Sequence, residues 1–348
     1  MIGSVGIPNR YGGPEAFAEN ISPRLASKGF RVTVTCDKSR YVDDLSPEIN
    51  GVRRVFIPIN ANGALSPLHD LVAFLRVAPT SEYVLVLGVS GGIFFPLFRL
   101  VCMLTGSKLL VNIDGVEWRR PKFGRFGKSI LYWSDFLAQR FTHTVIYDNL
   151  ALKEYVRYPA KAVCVEYSGD HALLACGGES APIGSDGEYA LTICRIEPEN
   201  NCDVLIEGFL KSSIPSYVFV GNWSRSEYGE ALRRRYSNEP RLRLLDPIYD
   251  RAKLFQLRSR CTAYLHGHSV GGTNPSLVEI LFFDCGIYCW DCSFNRVTAG
   301  DTASYFGSSG ELATRLDARP AHQADRATER RRYTADAIVA KLLRAIDA

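Results

Sequence analysis

Residues 266–279 combine histidines, glycines, a proline and a glutamate in an order typical of a phosphate-binding loop. A predicted strand ends near Leu265. The loop that follows contains Gly271, Gly272, Thr273 and Asn274, and a predicted helix begins at Pro275 and Ser276. Backbone N–H groups at a helix N-terminus attract phosphate oxygens, and Glu279, one turn in, could hold a ribose diol. His266 and His268 are either ligand contacts at this strand end or ordinary buried histidines. No third ligand has the spacing of a metal site.

Arg195 is a second candidate, because it directly follows the predicted strand 190–194. In open α/β sheets, ligands bind at the carboxyl ends of the strands. A guanidinium there could clamp a diphosphate through paired hydrogen bonds. The alternative is an arginine that simply pairs with Glu197 or Glu199 at the surface.

Residues 112–128 follow the predicted strand 109–113 and carry both carboxylates and cations. Asp114 and Glu117 are candidates for orienting or deprotonating a hydroxyl group. Residues 118–128 then interleave cations with aromatic rings, a composition that suits an anionic interface. The cations are Arg119, Arg120, Lys122, Arg125 and Lys128, and the aromatic residues are Trp118, Phe123 and Phe126. The alternative is a solvated loop whose rings cover the core.

The chain opens with a glycine-rich loop, residues 3–15, that precedes a predicted helix at 15–28. Glycines such as Gly12 and Gly13 let backbone N–H groups approach a phosphate closely. Because its glycines are too far apart for a G-x-G-x-x-G pattern, the loop predicts either a tight turn or a ligand contact. The short segment Met1 and Ile2 before the loop suggests a truncated start.

The 348 residues carry a formal net charge of +4, with 46% hydrophobic and 22% charged residues, which is ordinary globular composition. This excludes disordered, collagen-like and coiled-coil proteins, and the charge is too small to indicate nucleic-acid binding. Residues 1–165 hold 20 Lys and Arg against 13 Asp and Glu, whereas residues 166–348 hold 21 against 24. The positive first half predicts an anionic ligand or membrane surface on that side.

Ten cysteines at scattered spacings, with one C-x-x-C at Cys289 and Cys292, indicate free thiols rather than a zinc site. The longest apolar stretch, residues 91–106, is broken by Pro96 and Arg99 and is too short to span a membrane. We therefore expect a cytoplasmic protein that attaches at most peripherally to the inner membrane face.

Short apolar runs alternate with helical segments, which predicts parallel sheets covered by helices on both faces. The runs occupy residues 32–36, 55–58, 83–88, 109–113 and 144–147, and then 190–194, 217–220, 242–244, 263–265 and 287–289. A segment rich in Gly, Ser and Pro at 170–187 separates the two series. The pattern predicts an α/β fold of two doubly wound domains, residues 1–165 and 166–348, facing across a cleft. The tail at 326–348 predicts one amphipathic helix that packs back on the first domain, with Arg330–Arg332 on a solvated face.

Together these segments resemble the GT-B glycosyltransferases of family 4, and within them the bacterial rhamnosyltransferase subgroup with a DUF1972-like N-terminal domain. The resemblance spans nearly the whole chain. It is carried by residues 6–15, 112–120, 195–201, 271–279 and 293–298. It implies two Rossmann-like domains, of which the first binds the acceptor and the second binds the nucleotide sugar.

The resemblance implies a retaining, metal-independent transfer of L-rhamnose from dTDP-L-rhamnose, without a cofactor, to a lipid-linked saccharide in cell-surface polysaccharide synthesis. The implied donor contacts are Gly12, Gly13, Arg195, Asn200, Asn201, His268, Gly272, Thr273, Asn274, Ser276 and Glu279. Glu279 binds the ribose, while Gly271 and Asn200 replace a Glu and a Lys of the family's donor motif. Backbone contacts must then carry more of the binding. Glu15 and the cationic segment 118–128 fall on the acceptor side.

Other functions stay open at this point. The donor could be another nucleotide sugar, such as UDP-N-acetylglucosamine or GDP-mannose. The two replaced motif residues also fit a catalytically inactive protein of the same fold that binds a nucleotide or a glycan. A dinucleotide oxidoreductase is disfavoured, because no G-x-G-x-x-G is followed by an acidic residue about 20 positions on.

Overall fold

The computed structural model describes residues 1–113, 115–119, 124–174, 187–318 and 325–347. The chain forms two compact units. The first comprises Met1–Ser168 and Ala335–Ala348, and the second comprises Gly169–Thr334. The described part of the first unit holds a three-stranded and a four-stranded sheet, that of the second unit a six-stranded sheet, and each unit has its own buried core.

In the N-terminal part of the first unit, the residues that the structure describes form seven strands and four helices. The strands are β1 (Thr33–Asp37), β2 (Glu48–Ile49), β3 (Val52–Ile57), β4 (Tyr83–Leu87), β5 (Lys108–Asn112), β6 (Thr144–Tyr147) and β7 (Ala162–Cys164). The helices are α1 (Gly13–Ser27), α2 (Ser66–Val77), α3 (Phe95–Thr105) and α4 (Arg125–Phe141). The strands pair in the orders β1-β3-β2 and β4-β5-β6-β7, and every pair is parallel except β2 with β3.

Met1 and Ile2 connect these two groups of strands. The Ile2 N–H donates to Leu85 O at 2.9 Å, and its carbonyl accepts from Leu87 N at 2.8 Å. On the other side, the Met1 carbonyl accepts from Thr35 N at 3.1 Å. The short opening segment therefore lies between β4 and β1 and aims the following glycine-rich loop at the carboxyl edge of the sheet.

Within its described residues, the second unit contains six strands and seven helices. The strands are β8 (Ala190–Ile193), β9 (Tyr217–Val220), β10 (Leu242–Leu245), β11 (Ala263–His266), β12 (Gly286–Trp290) and β13 (Ser304–Phe306). The helices are α5 (Cys202–Leu210), α6 (Glu227–Arg235), α7 (Arg251–Arg260), α8 (Pro275–Ile280), α9 (Ser293–Ala299), α10 (Ser309–Ala318) and α11 (Ala327–Arg332). All strands are parallel, in the order β10-β9-β8-β11-β12-β13. The predicted α/β class is confirmed.

The C-terminal tail departs from the sequence prediction of a single helix. It divides into α11 and α12 (Ala335–Asp347). Between them, Tyr333 is fully buried and its hydroxyl donates to Thr298 O at 3.1 Å, which fixes the break. The apolar face of α12 is buried in the core of the first unit. Arg330 donates to Leu281 O and to Asp284 with 35% of its side chain exposed, and Arg331 is exposed.

Of the helices in the described ranges, none combines the length and the hydropathy that crossing a bilayer requires.

Candidate functional site

Three loops meet at the carboxyl edge of the second unit's sheet, after β8, β11 and β12. The Asn200 side chain donates to Arg195 O at 2.7 Å, and its Oδ1 lies 2.8 Å from Nδ1 of His268. The Asn201 side chain donates to Gly267 O at 2.8 Å. The structure thus brings together Asn200, Asn201 and His268, as side chains that join one loop to the next.

The loops after β8 and β11 approach too closely for a side chain between them. A Cβ at Gly267 would lie 2.1 Å from the Asn200 carbonyl oxygen. Asn201 has a φ of 47°, a left-handed conformation that asparagine tolerates better than most residues. Glycine and asparagine at these positions therefore allow the two loops to form one continuous edge.

Arg195 lies at the end of β8, where the sequence predicted it. Its guanidinium is 38% exposed, and Nη1 is 3.9 Å from Oε1 of Glu197. The surface ion pair between Arg195 and Glu197, considered above as the alternative, is therefore present. At this distance and exposure it contributes less than about 1 kcal/mol to the stability of the fold.

The loop after β11 ends in a capped helix start. Asn274 is the N-cap of α8, and its Oδ1 accepts from Ser276 N at 3.0 Å and from Ser276 Oγ at 2.8 Å. Gly271 has a φ of +129°, a conformation that favours glycine, while Gly272 is half-buried and Thr273 is buried. Asn274 and Ser276 thus fix the loop geometry through each other.

Glu279 on α8 is almost buried and has a partner at each carboxylate oxygen. His171 Nε2 lies 3.0 Å from Oε1, and the Arg258 guanidinium donates to Oε2. Burial alone would raise the pKa of Glu279, but the charge of Arg258 and the contact with His171 lower it to about 2. The carboxylate is therefore ionised at neutral pH and fixed in position. His171 and Arg258 were missed by the sequence analysis, since no local spacing links them to Glu279.

His266, the last residue of β11, is buried beside this loop. Burial lowers its pKa to about 3, so the ring is neutral at physiological pH. Its Nε2 makes no hydrogen bond within the part of the chain that the structure describes. His266 is therefore a neutral, buried ring beside the loop, and both interpretations of it stay predictions.

In the first unit, the glycine-rich loop leads into α1. Gly12 is the N-cap with an ordinary extended φ of −170°, and Gly13 begins the helix. The positive φ angles belong to Gly3 and Gly6, where the loop passes close to other backbone. Glu15, expected on the acceptor side, is buried and accepts from Val5 N at 2.6 Å. In this structure Glu15 holds the loop.

A cavity of about 520 Å³ opens beside the N-terminal half of α4. Its lining residues are Trp118, Arg119, Arg125, Lys128, Ser129 and Tyr132. The Trp118 ring meets the Tyr132 ring edge-on at 5.4 Å between centroids. Four of the residues predicted on the acceptor side thus share one cavity, which has cationic groups and an aromatic wall.

Ser129 and Tyr132 were missed by the sequence analysis, although their helical spacing from Arg125 signals a shared face. Asp114, Arg120 and Lys122 lie outside the described residues. Glu117 begins the short turn Glu117–Arg119, and its side chain also lies outside the description.

Residues 1–169 match the family model described as "Domain of unknown function (DUF1972)". No curated protein sequence matches the chain. Among solved structures, the chain is similar to sucrose-phosphate synthase from Thermosynechococcus elongatus, with a TM-score of 0.75 and 12% identity over 97% of this chain and 93% of that chain.

Two further structures extend the comparison. A UDP-forming trehalose-phosphate synthase from Burkholderia xenovorans, in complex with glucose-6-phosphate, matches with a TM-score of 0.67 and 12% identity over 100% and 99% of the two chains. The pneumococcal O-GlcNAc transferase GtfA, in complex with UDP and GlcNAc, matches with a TM-score of 0.55 and 14% identity over 80% and 59%. At these identities the likeness shows the fold alone, which is the GT-B fold.

Proposed function

We propose that the protein is a retaining glycosyltransferase that moves L-rhamnose from dTDP-L-rhamnose to a lipid-linked saccharide acceptor. The observation that carries the proposal is the fixed, ionised carboxylate of Glu279 directly behind the loop at the carboxyl end of β11. In a GT-B fold, that loop would supply N–H groups for the phosphates, and Glu279 would accept hydrogen bonds from the ribose hydroxyls.

The partners that Glu279 already has are compatible with this role. An ionised carboxylate offers about four lone-pair positions, and His171 and Arg258 use one oxygen each. The remaining positions can accept from a diol, while the two partners fix the side chain before the nucleotide arrives. Such fixing lowers the entropy lost on binding.

In the proposed reaction, the bond between the anomeric carbon and the diphosphate oxygen breaks, and its electron pair stays with the diphosphate. Arg195 would stabilise that growing charge, because it follows the carboxyl end of β8 and its side chain is 38% exposed. The acceptor oxygen forms the new bond on the same face of the sugar. Its proton would pass to Asp114 or Glu117, which the sequence analysis assigns to this task.

The cavity beside α4 supports an anionic acceptor. Arg119, Arg125 and Lys128 bring three positive charges to a space whose wall includes Trp118 and Tyr132. Guanidinium and ammonium groups suit the phosphates of a lipid-linked acceptor, and aromatic rings suit a sugar face. We therefore assign the first unit to the acceptor and the second unit, Gly169–Thr334, to the donor, in a cytoplasmic protein attached peripherally to the inner membrane face.

A thermal-shift screen of the purified chain with dTDP, UDP and GDP tests the proposal. We expect dTDP to raise the melting temperature most, because a ligand bound by the folded state stabilises it by mass action. Glu279→Gln should weaken dTDP binding about ten- to hundredfold, as expected for the loss of a charged hydrogen bond worth about 1.5–3 kcal/mol. The exposed Glu230→Gln is the matched control and should bind normally.

Other results would select the alternatives. A larger shift with UDP or GDP would replace rhamnose by another sugar. Nucleotide binding without hydrolysis or transfer of dTDP-rhamnose would indicate an inactive binding protein. Unchanged dTDP affinity in Glu279→Gln would remove Glu279 from the donor site.

A further inference from the structure

The first unit has a topological switch point between its opening segment and β4. Ile2 pairs in parallel with Val86 of β4, and the Met1 carbonyl accepts from Thr35 of β1 on the other side. From Ile2 the chain continues through α1 to β1, whereas from β4 it continues through α3 to β5 on the opposite side. In open α/β sheets, ligands bind in the crevice beyond the carboxyl ends of two such strands. The loops after Ile2 and after β4 therefore border a candidate binding crevice within the first unit.

Two glycines keep these loops close together and leave space above them. A Cβ at Gly3 would lie 2.7 Å from the Leu87 carbonyl oxygen, so the loops meet there without a side chain between them. Gly88 follows β4 directly, and no atom of the described residues lies within 4 Å of its Cβ position. The crevice is therefore open above Gly88 in the part of the first unit that the structure describes.

Ser90, in the loop after β4, is held by a buried carboxylate on α2. The Ser90 hydroxyl donates to Oδ2 of Asp70 at 2.5 Å, and the Gly91 N–H donates to the same oxygen at 3.1 Å. On the other side of the carboxylate, Oδ1 lies 3.4 Å from Nδ1 of the fully buried His69. The Asp70 side chain is 2% exposed, whereas Ser90 is only half-buried. Ser90 is therefore the member of this cluster that a ligand can reach.

The contact with Asp70 makes the Ser90 oxygen a hydrogen-bond acceptor. A carboxylate can only accept, so the Ser90 proton points to Asp70 and the lone pairs of Oγ remain for a ligand. The ligand must then bring an O–H or N–H group. A phosphodiester or a carboxylate has no such proton and would be repelled by Asp70, although the loop is as rich in glycine as a phosphate-binding loop. The chemistry that fits is a neutral polyol such as a saccharide.

We propose that Ser90 accepts a hydrogen bond from a hydroxyl group of the acceptor saccharide, and that Asp70 is the positioning residue that orients Ser90. The crevice would hold the sugar of the acceptor, while the cavity beside α4 would hold its phosphates. That this sugar is the acceptor rests on the proposed function. The preference for a neutral hydroxyl group rests on the contacts of Ser90 alone.

Ligand-observed NMR titration of the full chain with a panel of p-nitrophenyl glycosides tests the proposal. We expect at least one glycoside to bind, and Ser90→Ala to weaken its binding about three- to tenfold, as the loss of one neutral hydrogen bond predicts. Ser39→Ala is the matched control and should bind normally. The Ser39 hydroxyl also donates to a carboxylate, Oδ1 of Asp37 at 2.7 Å, but it lies in the loop after β1, one strand away from the crevice.

Monodeoxy analogues of the glycoside that binds best distinguish a direct contact from a structural role. Removing the hydroxyl group that Ser90 contacts should weaken binding to the wild type about three- to tenfold. The same removal should not weaken binding to Ser90→Ala, because its partner is already absent. Asp70→Asn should weaken binding by a similar factor, since an amide can donate to Ser90 and turn the serine proton towards the crevice. Asp70→Asn/Ser90→Ala should then bind no more weakly than Ser90→Ala.

Four outcomes would overturn the inference. They are the absence of glycoside binding, equal losses in Ser90→Ala and Ser39→Ala, the same deoxy pattern in the wild type and in Ser90→Ala, or additive losses in the double variant, which would remove the positioning role of Asp70. Inorganic phosphate that binds more weakly to Ser90→Ala than to the wild type would assign the loop to an anion instead. Should Asp70→Asn fail to fold, Ser90→Ala and the deoxy analogues still decide.

The dTDP-induced thermal shift, measured on the same variants, keeps this inference separate from the proposed function. An intact shift together with unchanged glycoside binding in Ser90→Ala removes the contact of Ser90 alone. The expected deoxy pattern without any nucleotide shift removes the proposed function, and leaves a first unit that binds a saccharide.

Discussion

Arg258 and Glu279 form an almost buried ion pair in the second unit, although α7 and α8 carry them 21 residues apart in the chain. Removing either partner would leave the other charge in a poorly solvated place, which typically costs about 3–5 kcal/mol. The pair is therefore part of the fold as well as of the proposed donor site.

The first prediction concerns the stability that Glu279 confers in acid. Its pKa is lowered from 4.5 to about 2, so the unfolded chain binds this proton more readily than the folded chain. The stabilisation is complete above pH 4.5 and is lost as the pH falls towards 2, by about 3 kcal/mol in total. In urea unfolding between pH 4.5 and 2.5, the wild type should lose about 2 kcal/mol more stability than Glu279→Gln, in which His266 still titrates but residue 279 does not. An equally steep loss in that variant would contradict the assignment.

The second prediction concerns the effect of His266 on stability at mildly acidic pH. Burial lowers its pKa from 6.5 to about 3, so between these values the unfolded chain takes up a proton that the folded chain refuses. Stability should fall by about 1 kcal/mol from pH 6.5 to pH 5.5, where Glu279 is still largely ionised in both states. His266→Gln should flatten this part of the profile, while Glu279→Gln should leave it unchanged. The opposite pattern would show that another group titrates.

Gly267→Ala tests the close approach of the loops after β8 and β11. The new Cβ would meet the Asn200 carbonyl at 2.1 Å, so the loops must separate, at a cost of about 1–3 kcal/mol. We expect a lower melting temperature and weaker dTDP binding. Gly310→Ala is the matched control, because nothing lies within 4 Å of its Cβ and the change should be neutral or slightly stabilising. Normal dTDP affinity in Gly267→Ala would show that the contact between these two loops is not needed for donor binding.

Arg195→Ala should lower turnover more than donor affinity. Charge on the departing diphosphate grows towards the transition state, so a clamp at this position should act mainly there. We expect kcat for dTDP-rhamnose hydrolysis to fall about 10²-fold, with little change in the Kd for dTDP. Arg195→Lys should recover only part of the rate, because an ammonium cannot form the paired contact. A change confined to KM would show that Arg195 binds ground state and transition state alike.

The strands and the loops at their ends were largely predictable from the sequence. Short apolar runs bounded by glycine or polar residues encode buried parallel strands, and residues 144–147 and 217–220 match β6 and β9 at both ends. The pairing of Arg258 with Glu279 was not predictable, since it depends on how α7 packs against α8. The break at Tyr333 was missed for the same reason, because burial of one ring overrides the helical periodicity around it. The exposure of apolar side chains on α3 also depends on tertiary packing. The sequence of an apolar helix does not show whether both of its faces are buried or one is exposed to solvent.

The last prediction separates acceptor binding from general positive charge. Arg125 and Lys128 line the cavity beside α4, whereas Arg140 is exposed on the same helix and is not among the lining residues. If the cavity holds the diphosphate of a lipid-linked acceptor, a soluble mimic such as geranyl diphosphate should bind there. Arg125→Ala and Lys128→Ala should each weaken that binding about tenfold by calorimetry, as the loss of one charge-assisted hydrogen bond predicts. Arg140→Ala should not, because long-range attraction to a single exposed charge is screened within about 8–10 Å at physiological salt. Equal weakening in all three variants would mean that the helix attracts anions only through its overall charge, and the acceptor would have to be sought elsewhere in the first unit.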